Sequence, residues 1–190
     1  PRTQPPLLEK SSQLLDYVRG LSLPQLKRLL ACNESLAQEA FENFRTMELG
    51  RGTTPALLAY DGIQYKYMAP GVFTQAQLEY VGEHLRILSG FYGVLRPFDG
   101  VSPYRLEMQA KASEAGDLYK FWGDKLYREV AGEEKDGGLI LNLASKEYSK
   151  CIEKYLTPED TYVTVVFGEL ADGKVKQKGP LAKMARGERV

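Results

Sequence analysis

The sequence has one histidine, His84, and two cysteines, Cys32 and Cys151. A single imidazole excludes a histidine-based metal cluster. Two distant cysteines outside any CxxC spacing make neither a zinc site nor a disulfide framework, and they read as structural thiols. No apolar run approaches the roughly 20 residues of a membrane span. No signal-peptide pattern is visible, so the cytoplasm is the expected compartment, with no membrane partner. The motifs GxxxxGK, GxGxxG, GxSxG and HExxH are absent. An enzyme here would work with carboxylates, arginine, lysine or tyrosine, and no cofactor and no metal are expected. Net charge is missing too: 25 basic side chains balance 25 acidic ones, which does not advertise a nucleic-acid binder.

What is present is ordinary in bulk and uneven in detail. Of 190 residues, 43% are hydrophobic and 26% charged, as in a globular protein able to bury a core without staples. Residues 171 to 190 carry six basic side chains against two acidic ones; the rest carries 19 against 23. A basic end sits on a mildly acidic body. The chain opens on PRTQPP, without Met, and stops at ARGERV. Both ends read as cut, so the expectation is one domain over 1–190, incomplete at both ends.

Apolar spacing predicts a helix over PPLLEKSSQLLDYVRGL, with Leu8, Leu14, Leu15 and Val18 on one side and Gly20 closing it. Residues 22 to 46 read as two helices joined at Cys32-Asn33, the first capped by Ser22 with Pro24 in its first turn. ALLAY (56–60) reads as a short buried strand and IQYKYMA as a short helix. Thr74 caps a helix that runs through Leu78, Val81, Leu85 and Leu88 to Gly90. YRLEM reads as a strand, DLYKFWGDKLYREVA as one helix capped by Asp117, and LILNLA (139–144) as an apolar strand. Ser145 caps KEYSKCIEKYL. TYVTVVFGEL is the strongest strand. Asp172-Gly173 marks a hairpin whose return strand, KVKQK, shows its lysines on one face. Helices and strands mix without a βαβ rhythm. The expected fold is α+β: a single compact domain with a mixed sheet surrounded by helices.

The stretch LSGFYGVLRPFDGVSPYRLEM (88–108) is too punctuated for a plain helix or strand. Its prolines and glycines can fix Arg96, Asp99, Arg105 and Glu107 in defined places. One reading is an Arg–Asp and Arg–Glu network pinning a loop. The other is a site, since an arginine fork suits phosphate or carboxylate. Asn142, in an apolar strand, either ties down a neighbouring loop or lines a cleft with Ser145. The lysines 174, 176 and 178, followed by Lys183 and Arg186, either contact phosphates or guard an edge strand.

These residues carry a resemblance. LRILSGFYGVLRPFDGVSPYRLEM, LYKFWGDKLYREV, LILNLASKEYSKCI and AKMARGE, in this order, resemble the YaaA family of peroxide-stress proteins over roughly residues 10 to 187. The match takes in Ser89, Gly90, Tyr92, Gly93, Arg96, Pro97, Asp99, Pro103, Tyr104, Arg105, Glu107 and Met108. It continues through Phe121, Trp122, Asn142, Ala144, Ser145, Glu147 and Tyr148 to Lys183, Arg186 and Gly187. The resemblance implies resistance to hydrogen peroxide by limiting damage from free iron, and DNA binding through a basic cleft. It also implies a helix-hairpin-helix element on an unusual α+β fold. The helix pair at 22–46 is the candidate for that element, although its turn, ACNES, lacks the usual Gly-x-Gly. The family's opening strand, with its Ser-Pro-Ala-Lys motif, has no counterpart here, and the family continues past ARG.

The expectation is therefore a cytoplasmic stress-response protein that binds duplex or partly unpaired DNA with low sequence specificity. Arg96, Arg105, Lys183 and Arg186 would contact phosphates, and Tyr92 and Tyr104 would stack on bases. The alternative is an enzyme on an anionic or nucleic-acid substrate, with Asp99 and Glu107 as acid–base groups and Arg96 and Arg105 as anchors. Direct iron binding by carboxylates and tyrosine is a weaker third reading.

Overall fold

The first third of the chain folds as its stripes and caps dictate. Helix α1 (Leu8–Arg19) buries Leu14, Leu15 and Val18 and stops at Gly20. Helix α2 (Leu23–Leu30) buries Leu26 and Leu30. The Ser22 backbone N–H donates to Gln25 Oε1 at 2.8 Å, tying down its first turn. Ala31 takes a left-handed conformation, φ 47°, and turns the chain into α3 (Glu34–Thr46). Asn33 accepts the Leu36 N–H there at 2.9 Å. The α2–α3 pair therefore exists, joined by a left-handed alanine rather than a glycine turn. Arg19 reaches across to the far end of α3 and donates to the carbonyls of Phe44 (2.8 Å) and Met47 (2.5 Å). A helix leaves its last carbonyls without partners, and a guanidinium there also complements the helix dipole.

The computed structural model describes residues 2–112, 116–132 and 138–190. After α3 come β1 (Thr54–Pro55), α4 (Ala56–Ala59), α5 (Ile63–Met68) and α6 (Gln75–His84), with Pro70–Val72 as a 3-10 turn. Then follow β2 (Ile87–Ser89), β3 (Gly93–Leu95), β4 (Gly100–Val101), β5 (Lys111–Ala112), β6 (Gly116–Asp117), α7 (Leu118–Trp122) and α8 (Lys125–Ala131). The last part holds β7 (Leu139–Asn142), α9 (Lys146–Glu153), β8 (Thr161–Thr164), β9 (Glu169–Ala171), β10 (Lys174–Lys176) and α10 (Gly179–Gly187). The α+β organisation holds. Among the described residues the strands are spread over five two-stranded ladders, with only β7–β8 parallel.

Four expectations are corrected. ALLAY is not a strand: it is the helical turn α4, whose first two amides, Ala56 and Leu57, donate to the Asp99 and Pro97 carbonyls at 2.8 and 2.9 Å. The helix begun at Thr74 ends at His84, because Ile87–Ser89 leaves it to pair with Gly93–Leu95. YRLEM pairs with nothing and runs as irregular backbone. DLYKFWGDKLYREVA is two helices, broken at Gly123, whose φ of +55° no continuing helix permits.

The core gathers on the 89–95 stretch, where every residue is buried. Phe91 packs on Phe44, and Trp122 lies over Gly93, where an added Cβ would come within 2.8 Å of the indole ring. The Trp122 indole N–H donates to the Gly90 carbonyl at 3.0 Å, so the buried ring has its one polar atom satisfied. A smaller cluster, Leu57, Met68 and Val81, holds α4, α5 and α6 together, and α10 packs against α5. No helix among the described residues is long and apolar enough to cross a membrane.

Candidate functional site

Asp99 is fully buried, and its carboxylate is enclosed by donors. It accepts the Arg96 backbone N–H at 2.7 Å, the Arg96 side chain at 3.2 and 3.3 Å, and the Thr3 hydroxyl at 2.5 Å. Arg96 also donates to the Gln4 carbonyl at 2.7 Å. Thr3 and Gly100 exchange backbone contacts with this loop as well. The Arg96–Asp99 pair is thus a network that fastens residues 3 and 4 to the 96–100 turn. Every acceptor position on Asp99 serves that purpose. Glu107, by contrast, is exposed, and Arg105 makes no ion pair with it.

Tyr104 stands at the centre of a second network. Its hydroxyl lies 2.5 Å from Ser89 Oγ and 2.7 Å from the Tyr60 hydroxyl. Ser89 Oγ already accepts the backbone N–H groups of Phe91 and Tyr92, at 3.2 and 2.9 Å. A hydroxyl oxygen has two lone pairs, so the Ser89 proton goes to Tyr104 and the Tyr104 proton to Tyr60. The relay ends on the Tyr60 O–H, which lines a cleft. Tyr65 stacks on Tyr60, with ring centroids 5.1 Å apart. Burial, first of all, raises the pKa of Tyr60, Tyr65, Tyr104 and Tyr148 above the ordinary phenol value, and the neighbouring phenols add to the rise. All four stay protonated near neutral pH.

This relay forms one wall of a cleft of about 410 Å³ between α3 and the 101–105 strand of chain. Glu39 and Asn43 from α3 line it as well, as does Arg105. The Arg105 Nε is buried and has no hydrogen-bond partner among the described residues. A buried donor left unpaired costs about 1–3 kcal/mol, so such an atom points to a missing acceptor. Arg186 on α10 shares the property: its Nε is also buried without a partner among the described residues, and desolvation lowers its pKa. Neither arginine, nor Lys183, belongs to an ion pair among the described residues. Helix α10 packs on α5, and α5 carries Tyr65, so the two arginines stand at opposite ends of one train of contacts: Arg186, α5, Tyr65, Tyr60, Tyr104, Arg105.

The remaining candidates are dispersed. Tyr92 is only 2% exposed, its ring packed edge-on against Phe91 and Tyr104 and its hydroxyl accepting the Ser102 N–H at 3.1 Å. No face of that ring is open to a base. Asn142 is buried and accepts the Ala144 N–H at 2.9 Å while donating to Thr164 at 3.3 Å, which ties β7 to β8 and to the following turn. Ser145 starts α9 without a side-chain capping bond. The hairpin lysines are partly neutralised, Lys176 by Asp172 and Lys178 by Glu169. Burial pushes the Cys151 thiol up to about 12, so it is not a reactive thiolate. Among the described residues no group of three or more His, Cys, Asp or Glu side chains is placed to hold a metal ion. Sequence reasoning missed Tyr60, Ser89, Glu39 and Asn43, because their meeting depends on contacts 15 to 44 residues apart and on the seating of α3.

Comparison with known proteins agrees with the 88–108 block. A family model described as "Peroxide stress protein YaaA" matches residues 1–190. A UPF0246 protein of Desulfitobacterium hafniense is 55% identical over 192 residues, covering 100% of this chain and 75% of the relative. One of Agathobacter rectalis is 53% identical over 188 residues, 98% of this chain and 74% of the relative. One of Lactiplantibacillus plantarum is 49% identical over 190 residues, 99% and 75%.

Proposed function

The chain belongs to the YaaA family of peroxide stress proteins, and from that premise we propose that it acts in the cytoplasm by binding DNA and limiting iron-dependent damage there. One observation carries the reading. Among the described residues, Arg105 beside the cleft and Arg186 on α10 hold buried Nε groups without acceptors, and Lys183 on α10 has no ion pair. Guanidinium groups in want of an acceptor suit phosphate oxygens, which accept in a bidentate fashion. Neutralising phosphates releases the cations condensed on DNA. A protein bound this way would displace iron from the backbone, where peroxide chemistry would otherwise cut the strand. Arg96 contributes least, since its charge and hydrogen bonds are committed to Asp99 and Gln4.

The test is a titration against duplex, bubbled and single-stranded DNA over a range of salt. The expected result is a linear fall of log affinity with log salt, with a slope reduced by about one unit in Lys183→Ala. Lys183 is exposed and has no ion pair, so that change leaves the fold intact. Absence of binding at low salt sinks the reading.

A second reading, an enzyme acting on an anionic substrate, draws on the Ser89–Tyr104–Tyr60 relay beside Arg105. In it Tyr60 would supply the proton, since Asp99 is enclosed and satisfied.

A further inference from the structure

The cleft beside Arg105 has more chemistry than a phosphate contact needs. Beside the buried Arg105 Nε, which has no partner among the described residues, the cleft is lined by the Tyr60 hydroxyl, the Asn43 amide and the exposed Glu39 carboxylate. The first two are donors. Asn43 and Glu39 lie one turn apart on α3, and both line the cleft. Between them the walls are apolar, formed by Leu36, Leu58 and Pro103. The cleft's volume of about 410 Å³ falls in the range of small-ligand sites, roughly 300–1,000 Å³.

A ligand that satisfies all of this has an anionic end, a flat ring and an edge bearing N–H donors. We propose that the cleft binds one nucleotide unit, its phosphate on Arg105 and Tyr60 and its base edge on Glu39 and Asn43. The inference rests on the DNA reading for its biological setting and deepens it. A carboxylate offers two acceptor oxygens and no donor, so Glu39 selects bases by their amino and ring N–H groups. Guanine presents both N1–H and an exocyclic amino group on one edge and should bind best. Thymine has no amino group and should bind worst. The same chemistry is available from a free nucleotide or from an unpaired nucleotide within a strand.

The experiment titrates the whole chain with dGMP, dCMP, dAMP and dTMP, and in parallel with bubbled DNA whose unpaired positions are guanine or thymine. The expected result is about tenfold tighter binding of guanine than thymine, from the bidentate contact. Glu39→Gln should bring the two within about twofold. Asn43→Leu should weaken all bases, and melting curves confirm that both variants fold. Preference for free dGMP identifies a mononucleotide site; preference only within the bubble identifies a strand-embedded one. Equal binding of guanine and thymine, or no binding of either in both formats, overturns the proposal. Salt-dependent duplex binding without base preference overturns the cleft alone and leaves the DNA reading standing. Base preference without duplex binding does the reverse.

Discussion

Residues 87–101 and residues 161–178 both contain short strands and hairpin turns, yet they are opposites. In the first, nearly every side chain is buried, and even its carboxylate, Asp99, is enclosed by donors from Arg96 and Thr3. In the second, Val163, Val166, Leu170 and Val175 are all exposed, Leu170 by 77%. Its charged groups are paired only at the surface, as in Lys176–Asp172 and Lys178–Glu169. The same local geometry therefore serves two purposes. The first segment is built into the core, because its apolar side chains are buried and its carboxylate is enclosed by donors. The second is held by a turn and by backbone pairing and contributes little to the core.

That contrast can be broken at its strongest point. Asp99→Ala would strand the Arg96 amide and guanidinium and release the segment around Thr3. We expect a loss of about 2 kcal/mol in urea unfolding, since the carboxylate is buried while Arg96 is 42% exposed and can turn to water. A loss under about 1 kcal/mol would place the segment on the same footing as the hairpin. Next in size is the alkaline limb. The raised pKa values of Tyr60, Tyr65, Tyr104 and Tyr148 mean that the folded state holds its phenolic protons more tightly than the unfolded chain. Their stabilisation is full below the unfolded value of about 10 and is lost as pH rises above it. Urea midpoints should show no loss from these groups up to about pH 10 and fall as pH rises beyond it, less so in Tyr60→Phe. The smallest effect belongs to the hairpin. Leu170→Ser and Val175→Thr should each shift stability by no more than about 0.5 kcal/mol in the same assay. A larger shift would show that this face is covered.

Much of this was legible in the sequence where a residue acts on its near neighbours. Ser22 and Thr74 cap the helices that their spacing announces, and Asp172-Gly173 forms the expected hairpin, with φ of 53° and 70°. Arg96 and Asp99, three residues apart, do form a loop-pinning network. The errors have a common cause. ALLAY is four apolar residues and a tyrosine, too short for periodicity to choose helix or strand, and carbonyls from residues 97 and 99 decided it. Leu85 and Leu88 keep helical spacing, but pairing with Gly93–Leu95 draws their neighbours into a strand. Tyr92 carries a hydroxyl and looked available to a ligand, although two aromatic neighbours and the Ser102 amide hold it inside. The cleft itself was not legible, because Glu39 and Asn43 look like ordinary solvent positions of an amphipathic helix until α3 is seated against Tyr104.

The bond between Thr3 and Asp99 spans 96 residues of chain. Closing so long a loop carries an entropy cost that grows with its logarithm, and contacts of high sequence separation form late in folding. Helices α1 to α3 can assemble from local contacts before this bond exists. The buried carboxylate, in turn, gains the Thr3 hydroxyl only once the residues that precede α1 return to it. The bond is therefore a latch on the finished fold, registering that the first segment and the hundredth residue have met.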